Sequence, residues 1–305
     1  MKAVVYKKYG PPNVLKLVDI EKPKPKPGEV LVKIHATTVT SGDARLRSSD
    51  FPPIAWLVVR LVYGLFKPRK EILGHEFAGV VEEVGDAVSK FKVGDEVLGT
   101  PTMLSTGSYA EYICAPEVRK KGVLRLKPKN LSFREAAALP VGGMTALFLL
   151  NKARLTSKQH VLVYGASGSV GSFAIQIAKA RGSIVTAVCS SSNHDMVKSL
   201  GADHVIDYRK VDYSNFGHDY NIVFDAVGKT SNSKAKRVLK PRGRFVSVKS
   251  LTTPDQNDLE DLCKLAGEGQ LRPFINKIFS LREITQAHEY VDKGHKRGNV
   301  VIEMN

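Results

Sequence analysis

The segment that most restricts what this chain can fold into is Gly165-Ala-Ser-Gly168-Ser-Val-Gly171. It follows the apolar run 161–164 directly and leads into the amphipathic stretch 172–180, so the order strand, glycine turn, helix is readable from the residues alone. Glycines there permit a tight turn and a close backbone approach. A helix starting at that point presents unpaired N–H groups and the positive end of its dipole. Together these are what a pyrophosphate needs. The spacing is GxxGxxG rather than GxGxxG, so the flanking strand and helix carry the weight. A glycine turn with no ligand is the competing reading.

The pattern around the turn extends it into a domain. From about Leu139, helical stretches (Met144 to Ala153, Ser172 to Ala180) alternate with apolar runs at 161–164, 184–188, 204–206, 221–224 and 244–248, with a turn at Pro241 to Gly243. Such alternation predicts βαβ units and a parallel sheet of at least five strands. The first third differs: short strands at Val30 to Ala36, Gly79 to Val84 and Asp95 to Gly99 are bounded by Gly or Pro, the texture of an irregular β-rich domain. After Leu271-Arg-Pro273 come a β-like segment, a helix from Arg282 to Asp292 and a strand from Asn299 to Glu303, a tail expected to return to the first domain. The reading is therefore α/β, with 1–125 and 271–305 forming a discontinuous β-rich domain and 126–270 the nucleotide-binding domain.

A chain of 305 residues suits two domains. Its formal charge of +16 raises the question of nucleic acid. The basic residues, however, are scattered through turns such as Lys22 to Pro27 and Lys234 to Lys240 with no interleaved aromatics or reading motif, so no nucleic-acid partner is expected. The start MKAVVYKKYG reads as a strand and turn, not a signal peptide. The most apolar stretch, Pro53 to Phe66, is too short to span a bilayer and carries Arg60; it reads as a buried or pocket-lining helix, with no membrane partner. Cys114, Cys189 and Cys263 lie too far apart for a CxxC knuckle or a disulfide framework, and a cytoplasmic setting is expected.

The second strand of a nucleotide-binding unit ends in an acid when NAD is bound, because the carboxylate holds the ribose hydroxyls and repels a 2′-phosphate. Here the strand 184–188 runs into Cys189-Ser190-Ser191-Ser192-Asn193, a set of hydroxyl and amide donors. NADPH is the expected cofactor, held by Ser190 and Ser191, with His194, or Tyr208 and Arg209, completing the site.

Together with Gly74-His75-Glu76-Phe77-Ala78-Gly79, Lys92-Val-Gly-Asp-Glu-Val97, Gly107-Ser-Tyr-Ala-Glu-Tyr112 and Gly201-Ala-Asp-His-Val-Ile206, these residues resemble the medium-chain dehydrogenase/reductase superfamily over nearly the whole chain. Within it the likeness is to the zinc-independent quinone oxidoreductases, the zeta-crystallin-like branch. The resemblance implies a GroES-like substrate domain, a Rossmann cofactor domain, and NADPH-dependent reduction of quinones or related conjugated carbonyls. Reduction of alkenal or enone double bonds, or a non-catalytic NADP-binding redox-sensing module, are the alternatives. It places Gly165, Ser167, Gly168, Ser169, Val170 and Gly171 on the pyrophosphate and Thr145 near the nicotinamide.

Several departures from the family pattern bear on chemistry. Thr40 stands where zinc-dependent members carry a Cys, and Leu139-Pro-Val-Gly142 supplies no thiol for the last ligand. His75 and Glu76 alone do not make a three-ligand catalytic site, so no metal is expected. His75 is then either a residual ligand or a histidine hydrogen-bonded into the packing. Zinc-free relatives carry an Asn at the Thr40 position and a Tyr five residues on, where this chain has Arg45. Thr40 could donate to a substrate carbonyl, and Asp43 or Arg45 could orient water or substrate, although all three equally suit loop capping. Only Lys249 to Asn257 separates the strand at 244–248 from the next helix, which puts a sixth Rossmann strand in doubt and leaves monomer and homodimer open. The insertion-like segment Phe51 to Lys70 reads either as a lid over the substrate or as a packing helix.

Overall fold

The computed structural model describes residues 1–101, 106–117, 123–216, 219–253 and 255–304. The chain divides into two compact units, Met1–Val141 with Ile275–Asn305, and Gly142–Phe274. The β-rich unit therefore extends past the boundary expected at 125. Residues 126–141 stay with it because Phe133 stacks on His35 at 4.3 Å between ring centroids, and Arg134 pairs with Glu303 at 2.5 Å.

The first unit opens with the hairpin-like pair β1 (Lys2–Val5) and β2 (Lys16–Asp19), followed by β3 (Glu29–Thr38), α1 (Ser41–Ser48), α2 (Pro53–Tyr63), β4 (Phe77–Val84), β5 (Glu96–Thr100), β6 (Tyr112–Pro116), β7 (Val123–Leu126) and α3 (Phe133–Ala137). Helix α4 (Pro140–Lys152) runs across the division. Strand β3 organises this unit: at 10 residues it is long enough to pair antiparallel with β4 and β6, and with the last strand of the chain. Val30, Val32 and Ile34 project from alternate positions of β3 onto one face, into a core with Phe77, Val81 and Val97, as the two-residue strand period requires.

The second unit contains β8 (His160–Tyr164), α5 (Ser169–Ala180), β9 (Ile184–Cys189), α6 (His194–Ser199), β10 (His204–Asp207), β11 (Tyr220–Asp225), α7 (Asn232–Lys236), β12 (Leu239–Ser247) and α8 (Gln256–Gly267). Its strands are all parallel and stand in the order β10-β9-β8-β11-β12. The order reverses between β8 and β11, the place where doubly wound sheets bind ligands beyond the carboxyl ends of their strands. Among the described residues the sheet stops at five strands, so β12 is its edge and no sixth strand follows. The turn expected at Pro241 to Gly243 is absorbed into β12 as an irregularity: Leu239 pairs with Tyr220, Arg244 already pairs with Ile222, and Arg242 between them takes a φ of 67°.

The chain then returns to the first unit as β13 (Ile275–Ser280), α9 (Ile284–Asp292) and β14 (Asn299–Glu303), extending the seven-stranded sheet β13-β14-β3-β4-β5-β7 with β6 also on β3. Ile284, Ala287 and Val291 of α9 lie on one helical face and fill a second core with Val4, Val39, Leu46, Leu73 and Tyr109. One expectation is corrected here. Helix α2 forms where the apolar run was read, but it is not buried: Trp56, Leu57, Val58, Leu61 and Val62 are all exposed.

Candidate functional site

In the second unit, strand β8 ends at Tyr164 and the chain turns at Gly165, whose φ of 77° only glycine adopts without strain. A Cβ there would stand 2.5 Å from Cγ1 of Val227. Gly165 N and Ala166 N both donate to Val188 O, at 3.0 and 3.2 Å, tying the turn to the end of β9. Gly171 allows helix and turn to close on one another, since a Cβ would lie 2.3 Å from Gly165 O and 2.8 Å from Ala166 Cα, both backbone atoms. Helix α5 then starts with Gly168 as its N-cap and no side-chain cap. The helix N-terminus carries the positive end of its dipole toward this turn, as the strand–turn–helix reading requires. Asp225 fixes the neighbouring turn after β11, which carries Val227 against Gly165: Oδ1 accepts from Gly228 N at 2.9 Å and Val227 N at 3.2 Å, and Oδ2 accepts from Ser247 Oγ at 2.8 Å.

The loop after β9 gathers on the same side. Asn193 Nδ2 donates to Ser167 Oγ at 3.1 Å and to Ser190 Oγ at 3.2 Å, and the Ser190 and Ser192 hydroxyls lie 3.1 Å apart. Asn193 Oδ1 and His194 Nε2 are buried without a hydrogen-bond partner. Buried polar atoms left unmatched cost free energy unless a ligand or water answers them, so these two suit hydroxyl groups of a bound nucleotide. Asp207, at the end of β10, was not singled out from sequence. One oxygen accepts from Ser191 N at 3.2 Å and the other from Arg209 N at 2.9 Å. Those bonds hold its carboxyl below the usual carboxylate range. An acid is thus present beside the serine loop, supplied by the third strand rather than the second, with both oxygens engaged by backbone. Tyr208 is exposed, and the Arg209 guanidinium lies 5.9 Å from its ring centroid. Thr145 is half-buried on α4.

In the first unit a buried polar cluster surrounds the GHE motif. Gly74 takes a φ of 101°, and a Cβ there would meet Ser108 Oγ at 2.2 Å. Its N–H donates to Asp43 Oδ1 at 3.0 Å, and His75 Nδ1 lies 2.6 Å from the same oxygen. Asp43 Oδ2 accepts from Thr40 N at 2.9 Å and from Thr40 Oγ1 at 2.5 Å, while Thr40 Oγ1 accepts from Asp43 N at 3.0 Å. This is a capping box for α1, with Asp43 at N3. Burial pushes the Asp43 carboxyl up, but the neighbouring His75 and the Thr40 hydrogen bonds outweigh it and hold the group at about 2. Burial pushes His75 down, yet the Asp43 charge beside it raises it overall. Glu76 is sealed: it accepts from Thr38 Oγ1 and, at 2.7 Å, from Val141 N, and burial lifts its carboxyl to about 7. Lys296, half-buried and lowered by that burial, faces the charges of Glu76 and Asp43; its position in the loop before β14 gave no signal in sequence.

Of the three residues expected to act on substrate, Thr40 and Asp43 are engaged with each other and with His75, and Asp43 is fully buried, so neither has a free group to present. The capping alternative describes them. Arg45 is exposed on α1. The cluster also fits zinc poorly. Both Glu76 oxygens are taken, Thr40 is not a thiol, and among the described residues no three His, Cys, Asp or Glu side chains come together as a metal site.

Residues 26–127 match the model of the alcohol dehydrogenase GroES-like domain, and residues 169–270 and 248–302 match two models described as zinc-binding dehydrogenase. The chain is 35% identical to 2-methylene-furan-3-one reductase of Solanum lycopersicum, an alignment spanning 99% of this chain and 79% of that protein. It is 33% identical to the chloroplastic NADPH-dependent alkenal/one oxidoreductase of Arabidopsis thaliana over the same shares. The quinone oxidoreductase structure from Coxiella burnetii superposes with a TM-score of 0.82 at 31% identity, covering 100% of this chain and 99% of that one. With the glycine turn, the five-stranded parallel sheet and the GHE cluster already in place, these likenesses settle the lineage: the chain belongs to the medium-chain dehydrogenase/reductase superfamily, in its quinone oxidoreductase branch.

Proposed function

We propose that this protein is an NADPH-dependent reductase that passes hydride to quinones or related conjugated carbonyls without zinc. The observation that carries the reading is the start of α5 without a side-chain cap, behind a glycine turn in which a Cβ at Gly171 would strike the backbone and one at Gly165 the Val227 side chain. In this reading Gly165, Ser167, Gly168, Ser169, Val170 and Gly171 hold the pyrophosphate, Ser190 and Ser191 with Tyr208 and Arg209 take the 2′-phosphate, and Thr145 lies toward the nicotinamide. The reduced nicotinamide, when bound, supplies the hydride. Support for NADPH over NADH comes from the hydroxyl-rich end of β9 and from the engagement of Asp207 by two backbone N–H groups, which spreads the charge of that carboxylate. The Arabidopsis relative is named as an NADPH-dependent oxidoreductase, which supports the same choice.

The donor set supports zinc-free chemistry. An alcohol substrate needs a Lewis acid to hold its alkoxide at neutral pH, and Thr40, His75 and Glu76 are arranged to cap and pack rather than to ligate. A conjugated acceptor is already electrophilic and asks less of the protein. The names of the tomato and Arabidopsis relatives favour enone double bonds as the second reading. The test is loss of reduced-nicotinamide absorbance with NADPH and NADH in parallel against an ortho-quinone, a para-quinone and a simple enone. Turnover with NADPH, weaker turnover with NADH and indifference to chelator support the proposal. NADPH binding without turnover on any acceptor would instead identify a redox-sensing module.

A further inference from the structure

Helix α2 turns its apolar residues outward. Val59 and Tyr63 pack against the core of the first unit, and Arg60 places its guanidinium 3.9 Å from the Tyr9 ring centroid. On the other side Leu57, Val58, Leu61 and Val62 are 51%, 58%, 55% and 45% exposed, and Phe66, just past the helix, is 88% exposed. Positions 57, 58, 61 and 62 share one face at helical spacing, so this is a continuous apolar ridge rather than isolated side chains.

The ridge has a basic rim. Residues 51–70 contain Arg60, Lys67, Arg69 and Lys70 and no acid. The last three are exposed. Lys7 and Lys8, also exposed, are brought alongside by two tethers on either side of them: Tyr6 N donates to Glu71 O at 2.8 Å and Tyr9 Oη donates to Gly64 O at 2.9 Å. A recess of about 590 Å³ beside them carries Lys7, Lys8 and Lys16 in its wall. An apolar ridge edged by cations, on a chain of formal charge +16, complements a surface that is apolar beneath and anionic on top.

We propose that α2 and its rim bind the surface of an anionic lipid bilayer. The helix lies in the interface with Leu57, Val58, Leu61 and Phe66 at the boundary of headgroups and acyl chains, and Lys7, Lys8, Lys67, Arg69 and Lys70 meet lipid phosphates. A second copy of the chain is a poorer occupant, because a shared two-fold contact would set two positive rims against each other. The expectation of no membrane partner is revised accordingly: it rested on the lack of a spanning segment, and lying on a membrane requires only an apolar face and charge.

The test is flotation of the whole protein with phosphatidylcholine vesicles and with vesicles that also contain phosphatidylglycerol, at low and high salt, while the emission of Trp56 is followed. Binding to the anionic vesicles, lost with salt and accompanied by a blue shift, is expected. The K67A/K70A protein should partition about 25-fold more weakly, about fivefold for each lysine. The L57S/L61S protein should lose binding and the blue shift together, with an unchanged melting profile showing that it is folded. No recovery with anionic vesicles at low salt overturns the proposal. So does equal recovery of L57S/L61S and the unaltered protein, and so does a concentration-dependent dimer that the L57S/L61S change abolishes while vesicles bind neither form.

Discussion

Replacing Glu76 with Gln should make the protein more stable at alkaline pH while changing little in mild acid. Glu76 is 1% exposed, and burial lifts its carboxyl from an ordinary 4.5 to about 7. The folded state therefore prefers the protonated acid. An acid raised on folding makes the native state bind more protons than the unfolded chain between the two values, so stability falls as pH climbs from about 4.5 to about 7 and levels off above. At about 1.4 kcal/mol per unit of displacement, the ionised group costs about 3 kcal/mol at pH 8, an upper figure for a buried site. Gln has no such penalty. Its carbonyl can accept from Val141 N, and its amide can donate to Thr38 Oγ1, which reverses its hydrogen-bonding role. The assay is urea unfolding of both proteins from pH 5 to pH 8.5, followed through Trp56, the single tryptophan, which lies in the same unit. The Glu76 charge is the smallest of the influences on His75, so the change it makes to that titration is minor beside the Glu76 effect itself. The two should agree within about 1 kcal/mol near pH 5, and the variant should lead by up to about 3 kcal/mol at pH 8. A difference that does not change with pH would refute the claim that Glu76 is held protonated.

The buried partner of His75 gives the opposite pH dependence. Asp43 is held at about 2, below its ordinary 3.8, so its contribution is complete above 3.8 and fades as pH falls toward 2. Asp43→Asn should cost about 3–5 kcal/mol at pH 6, measured by urea unfolding, with the deficit shrinking below pH 4. The same substitution should lower the His75 titration followed by NMR, because the carboxylate that raises it is gone. Gly171→Ala should destabilise the second unit by about 1–3 kcal/mol and abolish NADPH binding in calorimetry, since the new methyl group meets backbone on two sides. Unchanged NADPH affinity would show that the turn is not the pyrophosphate site. Ser191→Asp should shift the ratio of NADPH to NADH affinity toward NADH by about tenfold or more, through like-charge repulsion of the 2′-phosphate.

Much of the fold was legible in one dimension because the information was local. The run 184–188 is apolar and β-branched at both ends of the reading, and it became β9. The glycines at 165 and 171 are demanded by backbone conformation and close approach, which hold for any chain that makes this turn. The doubt over a sixth strand also came from local information, the short segment Lys249 to Asn257, and among the described residues the parallel sheet has five strands. The candidate site was read less well. Thr40 and Asp43 were singled out at the right place in the chain, but spacing cannot reveal that one hydroxyl and one carboxylate are spent on each other and on His75. Asp207 and Lys296 were missed, because the first meets the serine loop across neighbouring parallel strands and the second comes within the field of Glu76 only after β14 returns to β3.

By itself, then, the sequence determined the two architectures, the glycine turn and the order of elements, all of which depend on period, turn chemistry and neighbours along the chain. Only the tertiary structure decided which polar groups are paired, which acid is raised by burial, and which face of α2 meets solvent. Burial and partnership across long separations are properties of packing: Leu57 and Val59 are both apolar residues of one helix, and only the core that forms beneath Val59 sets them apart.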